Sequence, residues 1–106
     1  MNIQKLMKEA QNAQHKMREA QEKLAALSVE GTAGGGMVRV SASGEGTLTR
    51  VTIAPQAADA SAVDLLEDLV LAAVNDAQRK AKELQQEEMG SALGGMGGMG
   101  GLGGLF

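Results

Sequence analysis

The sequence of 106 residues contains no cysteine, tryptophan or tyrosine, and only one proline, one phenylalanine and one histidine. Without cysteine the protein can form neither disulfides nor thiolate metal sites, and a cysteine nucleophile is excluded. With Phe106 as its one Phe, Tyr or Trp residue, it lacks the stacking platforms that bind single-stranded nucleic acid. The sequence also lacks an apolar run long enough to span a membrane and the apolar stretch of a signal peptide. We therefore expect a small cytoplasmic protein of one domain, with no membrane partner.

Residues that could support catalysis or cofactor binding are scarce. His15 lies on the polar face of the first predicted helix, where no second group orients or tunes it. The acids at positions 64, 67 and 68 suit a helix start, where the macrodipole favours negative charge, better than a cation site. The glycine run at 34–36 lacks the Lys-Ser/Thr pair of a phosphate-binding loop. We expect no enzymatic activity, cofactor, metal ion or small-molecule substrate.

The distribution of glycine divides the chain. Residues 1–30 contain no glycine, whereas six glycines lie between Gly31 and Gly46 and nine from Gly90 onward. Because glycine disfavours regular interiors, this distribution predicts a long helix, a turn-rich section, a second helix and a tail. We place a single domain at residues 1–89 and the tail at residues 90–106. The repeated Gly-Gly-Met and Gly-Gly-Leu of the tail predict disorder, since such a segment cannot recover its ordering entropy in a core.

The first helix carries an apolar stripe with alternating spacings of three and four residues. Its members are Ile3, Leu6, Ala10, Ala13, Met17, Ala20, Leu24 and Leu27. This spacing places the stripe on one side of a helix, as in a coiled coil. At ~1.5 Å per residue the helix would be ~38 Å long, more than a domain of this size can cover. Either the second helix or another copy of the chain must pack against it, and a symmetric dimer is the simpler solution.

The central section changes to a period of two. Apolar and polar residues alternate over 38–43 and again over 50–53, which is typical of half-buried strands. Gly44-Glu45-Gly46 suits a hairpin turn, and Val29 to Thr32 can form an earlier strand. These features predict a three-stranded antiparallel meander with one apolar face to cover.

The second helix is expected after Pro55, with Asp59 or Ser61 as its cap. Its apolar stripe is broad over the first part and narrows towards the charged stretch from Arg79 to Glu88. We expect the broad half to cover the sheet and the narrow half to project.

The formal net charge is −3, but the charge is unevenly placed. Residues 1–27 are locally basic and residues 59–90 locally acidic. A mixed polar helix face is usually only solvated. The functional alternative is that its cations contact phosphates, and a dimer would supply each cluster twice. The cations concerned are Lys5, Lys8, Lys16 and Arg18 in the first helix and Arg79, Lys80 and Lys82 in the second.

Several strings, in this order, resemble the YbaB/EbfC family of bacterial nucleoid-associated proteins. They are Leu6-Met7-Lys8-Glu9-Ala10-Gln11, Val29-Glu30-Gly31, Met37-Val38-Arg39-Val40 and, as the most specific, residues 66–77. The resemblance implies an α+β protomer with a long N-terminal helix, a three-stranded antiparallel sheet and a C-terminal helix. It also implies an intertwined homodimer with projecting helices, which binds double-stranded DNA with limited sequence preference in an architectural or regulatory role on the nucleoid. The alternative is an adaptor that binds other proteins through the coiled-coil-like helix and the Met/Leu tail, without contacting DNA.

Overall fold

A computed structural model describes residues 2–94 of the chain. Its elements are α1 (Ile3–Ala26), β1 (Ser28–Ala33), β2 (Val38–Ser43), β3 (Leu48–Ile53) and α2 (Val63–Gly94), with short 3-10 turns at Pro55–Ala57 and Ala60–Ala62. The predicted α+β order of helix, meander and helix is confirmed. One predicted boundary is wrong: residues 90–94, assigned to the tail, continue α2. The rest of the tail and its predicted disorder lie outside the described residues.

The three strands form an antiparallel sheet in the order β1-β2-β3. Val40 lies between Gly31 of β1 and Val51 of β3 in the register. Because side chains alternate across a strand, Val38, Val40 and Ala42 all point to one face, where they are fully buried. The turn between β1 and β2 is made by three consecutive glycines with positive φ angles of 63, 68 and 91°, which other residues adopt only with strain.

Helix α2 covers β1 and β2, and small residues allow a close approach. Ala73 and Ala77 are completely buried against the sheet. A Cβ atom added at Gly31 would lie 2.2 Å from the backbone nitrogen of Ala77, so only glycine fits at this crossing. The broad apolar half of α2 therefore covers the sheet as predicted, but only over two of its strands.

The two edges of the sheet differ. At the β1 edge, the Thr32 N–H donates to Asp76 Oδ2 at 3.0 Å and the Lys80 ammonium donates to the Glu30 carbonyl oxygen at 2.8 Å. These α2 side chains occupy backbone groups that would otherwise be open to pairing with another strand. The side chains of β3 are exposed along its whole length, including Val51 and Ile53 on the helix-facing side.

Among residues 2–94, helix α1 is attached to the rest of the fold by its second half. The Gly44 N–H donates to the Leu24 and Leu27 carbonyl oxygens at 2.9 and 3.0 Å, which joins the end of α1 to the β2–β3 turn. The Gln85 side-chain amide donates to the Gly44 carbonyl oxygen at 2.9 Å, and Lys23 pairs with Glu88 at 3.0 Å. The last third of α2 therefore packs against α1.

The second half of α2, which the sequence predicts to project beyond the sheet, has the second half of α1 as its packing partner. We call the first part of α1 the arm (residues 3–19); its last residues, Lys16 and Glu19 among them, lie beside the end of α2. No side chain of the arm is buried. The protomer is elongated, with principal extents of 70 × 28 × 16 Å.

Candidate nucleic-acid interface

The arm presents four cations to solvent: Lys5, Lys8, Lys16 and Arg18. At 100° per residue, Lys5, Lys8 and Lys16 fall within a sector of about 80° around the helix axis. None of the four has a carboxylate within ion-pair distance in the described part of the chain. Of the two acids in the arm, Glu19 pairs with His15, whose Nε2 lies 2.7 Å from Glu19 Oε1. The arm is therefore a locally basic rod with available charges.

The three α2 cations predicted to contact DNA differ in whether they form ion pairs within the protomer. Arg79 pairs with Glu83 at 2.7 Å and with Asp76 at 2.8 Å. Lys80 lies 3.3 Å from Asp76 and donates to a β1 carbonyl oxygen. These two cations are already neutralised within the protomer, whereas Lys82 is exposed and pairs with no acid among residues 2–94.

Asp76 is the centre of this α2 cluster. The Thr32 N–H, followed by the Arg79 guanidinium, lowers the pKa of the Asp76 carboxyl to about 2 from its ordinary value of 3.8. A carboxylate that accepts several hydrogen bonds is stabilised in its charged form. Asp76 therefore remains ionised and keeps Arg79 and Lys80 in place beside β1.

Two further arginines, Arg39 on β2 and Arg50 on β3, lie on the face of the sheet away from α2. They are not among the cations proposed above from the uneven placement of charge. The period of two in β2 and β3 is sufficient to predict this placement, because it puts both arginines on the sheet face that the buried valines do not occupy.

The apolar stripe of α1 separates into two parts in the structure. Ala20 and Leu24 are buried within the protomer, so they pack the α1–α2 contact and are not available to a second chain. Ile3 and Leu6 remain 70% and 48% exposed, and Ala10 is exposed as well, whereas Ala13 and Met17 are half-buried.

A second apolar surface, not anticipated from the sequence, lies on β3 and α2. Val51 is 48% exposed although it belongs to the core face of the sheet, and Leu71 is 61% exposed. A shallow groove of about 450 Å³ is lined by Val63, Leu66, Glu67, Val70, Leu71 and Val74. Apolar surface of this extent on a small protein typically marks an interaction site.

Other kinds of site can be judged only over residues 2–94. No group of three or more His, Asp or Glu side chains in this range could hold a metal ion. No helix in the same range is long and apolar enough to cross a membrane. The expectation that no second group orients His15 is wrong, because its Nε2 lies 2.7 Å from Glu19 Oε1; both side chains of this pair are exposed on α1.

These features define a helix–meander–helix protein with a basic arm. Its fold resembles the crystal structure of an uncharacterized protein from Helicobacter pylori, with a TM-score of 0.74 and 22% identity, over 82% of this chain and 91% of the other. The sequence gives a more specific assignment. The profile of the YbaB/EbfC DNA-binding family matches residues 1–96, and the chain belongs to this family.

Named relatives agree with that assignment. A nucleoid-associated protein of Chloroflexus aggregans is 47% identical over 96 residues, covering 91% of this chain and 96% of the relative. Another, from Saccharopolyspora erythraea, is 51% identical over 95 residues, covering 90% and 82%. The family is described by DNA binding rather than by catalysis, so the chain is not a member of an enzyme family.

Proposed function

We propose that the protein binds double-stranded DNA as a homodimer, mainly through phosphate contacts and with limited sequence specificity. The observation that carries the proposal is the arm, whose four cations are exposed and, within residues 2–94, free of carboxylate partners. Phosphate contacts require local positive charge held in a fixed geometry. The Lys and Arg side chains supply the charge, and the helix fixes their spacing. Membership of the YbaB/EbfC DNA-binding family and the nucleoid-associated relatives support the same proposal. A protein bound in this way resides on the nucleoid, within the cytoplasm, in an architectural or regulatory role.

Ion pairs within the protomer support a narrower set of cations for the proposed interface. We retain Lys5, Lys8, Lys16 and Arg18, together with Lys82 of α2. Arg79 and Lys80 become secondary, because a phosphate would have to displace the carboxylates that already neutralise them.

The salt dependence of binding tests this assignment. A labelled duplex is titrated by fluorescence anisotropy at several salt concentrations with the parent protein, with K8Q and with R79Q. Each phosphate contact contributes about 0.9 to the slope of log K against log salt. K8Q, which removes one arm cation from each protomer, is expected to lower the slope by roughly 1.8 in a dimer.

R79Q is the matched control, because it removes one cation that is already paired within the protomer. We expect it to leave both the slope and the affinity close to those of the parent. The fourfold variant K5Q/K8Q/K16Q/R18Q should weaken binding broadly on duplexes of different sequence. Parent-like affinity of this variant at low salt would show that the arm is not the interface.

Dimerisation is the second part of the proposal, and uncovered apolar surface supports it. A sheet with one helix layer leaves Val51 and Ile53 in water, and the groove on α2 lies uncovered as well. We infer that a second copy covers β3 and the apolar face of α2, with Ile3 and Leu6 of the arm as further contacts. Each copy would bury apolar side chains that the other leaves exposed to water.

Two adjacent residues of β3 provide a matched test of this interface. Val51 lies on the core face of the sheet, whereas Thr52 pairs with Arg39 on the opposite face. By light scattering at micromolar concentration, the parent and T52E are expected to show twice the 10.9 kDa mass of one chain. V51E should be monomeric, because it places a charge in an apolar contact. A monomeric parent, or a dimeric V51E, would contradict this interface.

A further inference from the structure

The face of the sheet away from α2 is polar over all three strands. Its members are Ser28, Glu30 and Thr32 of β1, Arg39, Ser41 and Ser43 of β2, and Arg50 and Thr52 of β3. The register places Arg39 between Thr32 and Thr52, and it places Ser41 between Glu30 and Arg50. A face of hydroxyl and guanidinium groups with one carboxylate, that of Glu30, cannot serve as the core of an apolar interface, so it stays open to water and to polar ligands.

Arg39 and Arg50 are diagonal neighbours on this face. Diagonal pairs on adjacent antiparallel strands lie about 7–8 Å apart, which is close enough for two guanidinium groups to act on one stretch of ligand. Both side chains are exposed, and neither forms an ion pair with any acid in the described chain. In this they resemble the arm cations and differ from Arg79.

The β1–β2 turn orients one of the two arginines. Arg39 Nε donates to the carbonyl oxygen of Gly36 at 3.3 Å, which directs the side chain along the turn. The terminal nitrogens of the guanidinium are not used by this bond and can donate to an anion. Arginine presents its donors as a planar fork that matches phosphate oxygens.

We propose that this polar sheet face, centred on Arg39 and Arg50, is a second surface that contacts the phosphates of duplex DNA. The inference rests on the proposed function and extends the interface beyond the arm. The flanking threonine and serine hydroxyls supply the neutral donors that commonly accompany arginine at phosphates. The face carries no aromatic side chain, and the only one in the sequence is Phe106. A single strand, which would need stacking platforms, is therefore a poor fit.

The test compares R39Q/R50Q and R39K/R50K with the parent in the salt titration described above. Loss of two phosphate contacts per protomer is expected to lower the salt slope by about 1.8 per protomer and the affinity by about tenfold or more at moderate salt. R39K/R50K keeps both charges and should retain most of the slope. A parent-like slope and affinity for R39Q/R50Q would overturn the proposal, as would an equal loss in the lysine variant, since that effect would not come from charge.

A second measurement uses the unmodified protein. Phenylglyoxal reacts with accessible guanidinium groups, and mass spectrometry locates the modified arginines. Duplex DNA is expected to protect Arg39 and Arg50 while leaving Arg79 equally reactive, and unchanged reactivity at the two strand arginines would refute the assignment.

The two proposals fail in different ways. If K8Q weakens binding while R39Q/R50Q does not, the arm binds DNA and the sheet face does not. If the parent does not bind duplex DNA at any salt concentration, the proposed function itself is wrong.

Discussion

Replacing Gly31 with alanine is expected to destabilise the protein severely, because the crossing of β1 and α2 has no room for a Cβ atom. The added atom would lie 2.2 Å from the Ala77 nitrogen and 2.3 Å from the Ala73 carbonyl oxygen. Both neighbours are backbone atoms, so no side-chain rotation relieves the clash. An ordinary contact begins near 3.4 Å, so the strand and the helix must separate by about 1.2 Å.

That separation would also break the bonds that join α2 to the β1 edge. The distance from Thr32 N to Asp76 Oδ2 is 3.0 Å and that from Lys80 Nζ to the Glu30 carbonyl oxygen is 2.8 Å. An increase of about 1.2 Å takes both beyond hydrogen-bonding range. Overpacking costs ~1–3 kcal/mol, and the loss of these bonds adds to that cost, so the total is about 3 kcal/mol or more. For a domain of this size, this corresponds to a fall in Tm of roughly 20 °C.

Circular dichroism at 222 nm is the suitable assay, because the sequence contains no tryptophan or tyrosine. G90A is the matched control: Gly90 lies within α2, and a Cβ atom there would meet nothing within 4 Å. That variant should gain about 0.5–1 kcal/mol from helix propensity. Both variants and the parent must be compared at one protein concentration, since an oligomer's Tm depends on it. A G31A protein that melts within a few degrees of the parent would refute the close approach.

Two further predictions concern Asp76 and the core. The pKa of Asp76 is lowered to about 2 in the folded protein from the ordinary 3.8, so its stabilising contribution is complete above about pH 4 and is lost as the pH falls towards 2. D76N should remove this part of the pH dependence of the urea midpoint. If the midpoint of D76N still falls between pH 4 and pH 2 as that of the parent does, Asp76 is not the group responsible. V40A removes two methyl groups from a completely buried site and should cost about 2 kcal/mol, whereas V51A at an exposed position of β3 should cost less in the free protomer. Equal costs for the two variants at a concentration where the protein is monomeric would show that the core is not centred on β2.

The helices and strands could be predicted because each follows a local periodicity. The three-and-four spacing of α1 and the period of two around Val40 are visible in any short window of sequence. The end of α2 could not be predicted in this way. Gly90 and Gly94 argue against a helix, but Ser91 and Ala92 lie beside Lys16 and Ala20 of α1, and tertiary contact of this kind overrides weak propensity.

The site was only partly predictable, for a related reason. The exposure of the arm cations could be predicted, because it depends mainly on the α1 sequence itself. The hydrogen bond of Lys80 to β1 could not be predicted from the sequence, because its acceptor is the carbonyl oxygen of Glu30, 50 residues earlier. The burial of Leu24 likewise depends on the β2–β3 turn, which closes on it only once the sheet has formed.

The difference between the two sheet edges has a consequence for assembly. A sheet with two open edges can add copies at both ends and grow into an open fibre, whereas a sheet with one open edge can add only one. Because Asp76 and Lys80 occupy the β1 edge, two copies that meet through β3 leave no edge for a third. Two side chains of α2 would in this way set a closed point-group symmetry and keep the protein from polymerising.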